Sequence, residues 1–169
     1  MLKNSFVVSK IEGKEFAKIS GDHNKIHVDE KIAYNSIYGN TICHGALILL
    51  KFLKKIKFKI DKQFNINIKF IRPIFYNSKI ILRKKNNGEY CLIHNNYQSV
   101  NIYINFNNNN EDKIKKFNKK NQYNFTKLKK IHYKSVDKNL LMVLCSISRY
   151  AGMVYPGKNS MLNSININY

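Results

Sequence analysis

Residues 41–55, TICHGALILLKFLKK, carry apolar side chains around almost the whole of a helical projection and contain no proline. A run with so little polar face belongs inside a domain, as a helix buried against a sheet. Thr41 stands where a capping hydroxyl is expected. Strand-like runs follow at residues 64–70, 71–75, 79–83, 90–94 and 99–106, most with apolar and polar side chains in alternation. Arg72-Pro73, Tyr76-Asn77-Ser78 and Asn86-Asn87-Gly88-Glu89 divide them, and the last is a hairpin signal. One long buried helix followed by antiparallel strands predicts an α+β domain in which a curved antiparallel sheet wraps the helix.

Ahead of the helix, residues 5–19 read as a short strand and a short helix, ended by Ser20 and Gly21. Residues 20–40 are rich in Gly, Asn, Asp, Ser and His and read as an ordered loop region, the kind of segment in which chemistry collects. The first domain spans residues 1–106. Residues 107–124, NNNNEDKIKKFNKKNQYN, have the low complexity of a linker. Residues 125–169 form a tail with a helix at 138–150, a turn at 152–157 and an alternating strand at 161–169. These three elements are too few to close a core alone. The tail either packs on the first domain or opens a second domain that is incomplete here.

The chain has 169 residues, the length of one domain with or without an appendage, and 44% of them are apolar, which excludes wholesale disorder. Its formal charge is +20, from 30 basic and 10 acidic residues. Only Arg72, Arg83 and Arg149 among the basic residues are arginines. Nucleic-acid binders concentrate charge and use arginine for bidentate contacts, so a solvated lysine surface is the expectation and a nucleic-acid partner the distant alternative. Cys43, Cys91 and Cys145 are odd in number and widely spaced, which argues against a disulfide framework and for a reducing cytoplasm. The longest apolar stretch, broken by Lys51, is too short to span a bilayer, so a soluble protein is expected.

The densest chemistry lies in residues 16–49, which include Asp22, His23, Asn24, His27, Cys43, His44 and Gly45. A carboxylate and an imidazole five residues apart can converge on one water and supply an acid and a base. On spacing alone, turn formation by Asp22 and Asn24 with a merely packed His27 is the commoner use of such residues. His23, His27, Cys43 and His44 also offer zinc a ligand set. Residues His94 and His132 have no partner in sequence and read as core or surface histidines.

Taken in order, Phe16, Ser20, Gly21, Asp22, Asn24, Ile26 and His27 resemble the hydratase motif of the MaoC-like family, the (R)-specific enoyl-CoA hydratases and related dehydratases with a hotdog fold. Ile42-Cys43-His44-Gly45 resembles the family's His-Gly element at the start of the central helix, and Phe70-Ile71-Arg72-Pro73 its Phe-x-Arg-Pro strand end. The resemblance covers residues 1–106. Lys25 replaces the motif's proline, and Leu53 falls where some members carry a serine. The resemblance implies that Asp22 and His27 activate water, that Asn24 supports the loop, and that the Gly45 N–H donates to a thioester carbonyl, with His44 capping or packing at the helix start. It further implies an acyl-CoA or acyl carrier protein substrate, no metal or other cofactor, and a homodimer with the acyl chain between protomers. Residues 147–157 weakly resemble the start of a second repeat lacking the Asp and His. A noncatalytic hotdog module that binds a thioester or a protein is the alternative.

Overall fold

The computed structural model describes residues 4–60, 63–106, 136–154 and 162–168. The expected linker at 107–124 and His132 lie outside the described residues, as do parts of the tail.

Strand β1 (Ser5–Val7) leads into helix α1 (Lys10–Ser20). Ser9 and Glu12 form a reciprocal capping box at its start, and Gly21, at φ 74°, ends it in the left-handed conformation. The expected loop region then contains two short helices, α2 (Lys25–Val28) and α3 (Glu30–Tyr34). Each is nucleated by a side-chain cap that spacing alone did not reveal: Asn24 accepts from the Ile26 N–H and Asp29 from the Ile32 N–H.

Helix α4 (Gly45–Lys55) is the predicted buried helix, starting later than the sequence suggested. Thr41 does not cap it. The Ile42 N–H donates to the Ile26 carbonyl and the Cys43 N–H to the Ile74 carbonyl, so residues before His44 are held extended and His44 takes the cap position. Residues 46 to 50, 52 and 53 are all buried, and they form the core together with the inward side chains of the sheet.

The sheet contains β2 (Phe64–Phe70), β3 (Lys79–Asn86), β4 (Glu89–His94) and β5 (Tyr97–Phe106). Its order is β1-β3-β4-β5-β2-β6, where β6 is Ser164–Asn168, and every described pairing is antiparallel. Alternation is clearest in β2, whose Phe64, Ile66, Ile68 and Phe70 are buried. The hairpin at Asn86–Glu89 forms as expected, with Gly88 at φ 77°. Residues 71–75 were expected to be a strand and are not. The Ile71 and Arg72 N–H groups both donate to the Ser99 carbonyl and Pro73 has none to donate, so the ladder stops; only an isolated bridge joins Ile42 and Phe75. The architecture is the antiparallel sheet around a central helix that the hotdog resemblance implied.

In the tail, helix α5 (Lys138–Arg149) is capped by Asp137, continues as a π-helical turn (Tyr150–Val154), and packs against α1 and α4. Strand β6 pairs with β2. Among the described residues, no helix is long and apolar enough to cross a membrane.

Leu50 is fully buried at the centre of this core. Leu50→Ala is expected to lower the unfolding free energy by about 2–5 kcal/mol, read as a fall in the urea midpoint at an unchanged slope.

Candidate active site

The loop between α1 and α2 turns inward. The Ser20 hydroxyl donates to the Phe16 carbonyl and accepts from the Asp22 N–H, fixing the entry of the chain beyond Gly21. Asp22 Oδ1 accepts from the Asn24 N–H at 3.2 Å, and Asn24 in turn starts α2, which carries His27. Asp22, Asn24, His27 and His44 are all buried, whereas His23 points to solvent.

Candidate ligand atoms of Asp22, His27 and His44 lie within 4.8 Å of one another. Their hydrogen bonds assign each a different part. His27 Nδ1 lies 2.9 Å from the Ile42 carbonyl, which can only accept, so Nδ1 carries the proton and Nε2 keeps its lone pair. His44 Nε2 donates to the Asp22 backbone carbonyl at 3.2 Å, and Nδ1 accepts from the Tyr76 hydroxyl at 2.8 Å. His44 makes no side-chain cap bond; its ring packs, tilted by 31°, against His27 at 4.0 Å between centroids and is a packing and orienting group.

These bonds bear on the zinc reading. Both His44 nitrogens are hydrogen-bonded within the protein, and burial pushes the Cys43 thiol up. Among the described residues, Asp22, His27 and His44 are the groups whose ligand atoms converge, and His44 could meet a metal only by giving up one of its two hydrogen bonds.

Gly45 is the first residue of α4, where a backbone N–H has no acceptor within the helix. A Cβ at this position would lie 2.8 Å from the tip of the Phe70 ring, so the glycine lets α4 pack closely against β2. Asp22, His27, Gly45, Phe70, Arg72 and Ile74 line one cavity of about 30 Å³. That volume accommodates about two waters.

A residue that the sequence did not single out completes the site. Ser148 of α5, itself buried, donates its hydroxyl to Asp22 Oδ2 at 2.6 Å. Next along the tail, Gly152 lies so close that a Cβ there would meet Asp22 Oδ1 at 2.1 Å. Leu140, Leu144, Ser148 and Gly152 recur every fourth residue on one helix face. A hydroxyl and a glycine continuing an apolar stripe were the available signal. Leu53, which raised the question of a missing serine, is buried in the core.

The model of the MaoC like domain matches residues 2–101. The chain belongs to the MaoC-like domain family. Among solved structures, HtdX from Mycobacterium tuberculosis matches with 18% identity and a TM-score of 0.54, covering 59% of this chain and 42% of that one. An (R)-hydratase from A. caviae matches with 16% identity and a TM-score of 0.47, covering 59% and 88%. R-hydratase PhaJ1 from Pseudomonas aeruginosa matches with 15% identity and a TM-score of 0.40, covering 68% and 88%. No curated protein sequence matches significantly. With the family shown, the MaoC-like chain has the hotdog fold.

Burial lowers the His27 pKa, with the Asp22 charge and the Ile42 carbonyl pushing it part of the way back. Burial together with His27 and His23 lowers that of His44 further. Both imidazoles therefore take up a proton more readily in the unfolded chain. The stability held in their neutral forms is complete above the unfolded value of about 6.5 and is lost as pH falls below it toward the folded-state values. Urea midpoints are expected to fall steadily between about pH 7 and pH 5. Ser148→Ala leaves Asp22 Oδ2 without its buried donor and is expected to cost about 1–3 kcal/mol in the same denaturation experiment at pH 7.5.

Proposed function

We propose that this MaoC-like protein is a hydro-lyase that interconverts trans-2-enoyl thioesters and (R)-3-hydroxyacyl thioesters. The observation that carries the reading is the convergence of a hydrogen-bonded buried carboxylate and a neutral imidazole, whose Nε2 lone pair remains available, on a cavity of water size beside a helix N-terminus. The family and its motif residues support the same chemistry.

In the hydration direction, a water lies between Asp22 and His27 Nε2. The pair withdraws one of its protons, the oxygen forms the new bond to C3, and the C2–C3 π electrons move toward the thioester carbonyl. The Gly45 N–H, reinforced by the start of α4, donates to that oxygen as enolate charge develops, a contribution of about 3 kcal/mol. A proton returned to C2 completes addition of one water, with no net change in the pair. Dehydration is the reverse. Asn24 acts on His27 through the cap of α2, and Ser148 acts on Asp22 through its hydrogen bond; both are positioning residues.

The acyl group is attached to CoA or to acyl carrier protein. Arg72, exposed at the cavity rim with its guanidinium 4.5 Å over the Tyr97 ring, is placed to meet the anionic part of either carrier. Leu53, buried in the core where some members of the family carry a serine, is the ground for a second reading, a noncatalytic module that binds a thioester or a protein.

Turnover on a panel of trans-2-enoyl-CoA substrates, followed by loss of enoyl absorbance, separates the two. The enzyme reading predicts turnover, with kcat lowered by about 10²–10⁴ in Asp22→Asn and in His27→Ala. Binding without turnover supports the alternative, and turnover untouched by both substitutions overturns the roles given to Asp22 and His27.

A further inference from the structure

Gly13 lies inside α1 and is buried there. Its backbone is helical, so no left-handed turn calls for a glycine, and glycine weakens a helix interior relative to alanine. What excludes a side chain is Tyr76: a Cβ on Gly13 would overlap Cζ, Cε1 and the hydroxyl of its ring. The tip of the Tyr76 ring therefore lies directly on the α1 backbone, in space that the glycine leaves open.

The other end of Tyr76 is fastened to the start of the same helix. Residues 76–78, which the sequence marks as turn chemistry, pass through Asn77 in the left-handed conformation at φ 59°. The Asn77 N–H donates to the Val8 carbonyl at 2.8 Å, and its side-chain oxygen accepts from the Lys10 N–H at 3.1 Å. The Ser78 hydroxyl closes the turn on the Phe75 carbonyl at 2.6 Å. A left-handed asparagine on one side and an interior glycine on the other serve one end, the placing of a phenol.

That phenol meets His44. Its hydroxyl lies 2.8 Å from Nδ1 of the imidazole, and both residues are more than nine-tenths buried. His44 Nε2 then carries the proton that bonds the Asp22 carbonyl, and Asp22 Oδ2 lies 4.0 Å from the same nitrogen. With the proton on Nδ1 instead, the Nε2 lone pair would face both of those oxygens and repel Asp22. Without the hydroxyl, Nδ1 would lose its donor in a buried site, and the ring that packs against His27 would lose its anchor.

On the hydro-lyase reading given above, we propose that Tyr76 is a positioning residue for the reaction. Gly13 lets its ring lie on α1, its hydroxyl holds His44, and His44 holds the Asp22 backbone and backs His27. Helix α1, whose end delivers Asp22, thus also fixes the group that keeps Asp22 in place.

Nitrogen-15 NMR of the imidazoles tests the placement without any substrate. His44 is expected to carry its proton on Nε2 in the native chain, and its Nδ1 signal to move downfield in Tyr76→Phe, toward that of a nitrogen without a donor. Turnover on a trans-2-enoyl-CoA tests the role. Tyr76→Phe is expected to lower kcat about tenfold, the kinetic equivalent of one lost buried hydrogen bond, with KM within about twofold. Gly13→Ala, which pushes the hydroxyl off His44 from the α1 side, is expected to lower kcat by a similar factor. Gly13→Ala/Tyr76→Phe is expected to fall no lower than Tyr76→Phe alone.

A His44 proton on Nδ1 in the native chain, or an Nδ1 signal unmoved in Tyr76→Phe, overturns the placement. Full kcat in Tyr76→Phe, a loss confined to KM, or a double variant in which the two losses multiply, overturns the role in the reaction. Absence of turnover from the native chain sinks the hydro-lyase reading and the role with it. That outcome is told apart by a His44 Nδ1 signal that still moves in Tyr76→Phe.

Discussion

The Asp22 carboxylate is nearly excluded from water, and the surrounding structure is arranged around what that costs. A buried carboxylate is tolerable only where its oxygens are hydrogen-bonded. One is met by the Asn24 N–H at the start of α2 and the other by the Ser148 hydroxyl, which belongs to the distant tail. His44 holds the backbone carbonyl of the same residue and rests its ring on His27. The position of the acid therefore depends on α1, α2, the start of α4 and α5 together.

The same interactions decide the protonation states that the chemistry uses. Burial keeps both imidazoles neutral, and the Ile42 carbonyl selects the tautomer that leaves His27 Nε2 basic. Tyr76, a phenol that is protonated at neutral pH and whose pKa burial raises further, donates to His44 and fixes the opposite tautomer there. The two packed histidines thus differ in the groups each ring nitrogen faces, and in the proposed reaction one is reactive and the other orienting.

What was legible in the sequence was what local periodicity encodes. The apolar residues of α4, the alternation in β2 and the Asn-Gly hairpin each report their own environment within a few residues. Asp22, Asn24, His27 and Gly45, which the structure gathers at one loop and one helix start, were singled out by the resemblance to the family motif and not by spacing alone. Misjudged boundaries had competing partners elsewhere in the chain. Thr41 lost the helix cap because Ile42 and Cys43 are tied to residues 26 and 74, and residues 71–75 left the ladder because two N–H groups converge on Ser99. Ser148 was harder, since its meaning lies in a hydrogen bond across 126 residues. The strong positive charge, prominent in composition, has little part in this geometry beyond Arg72 at the rim.

The pH dependence of kcat/KM on a trans-2-enoyl thioester tests the central claim most directly. If neutral His27 beside Asp22 activates the water, activity falls on the acid side through a single ionisation below about pH 6.5, and the activity remaining in His27→Ala has lost that limb. A rate that is flat across this range, or an acid limb that survives unchanged in His27→Ala, contradicts it.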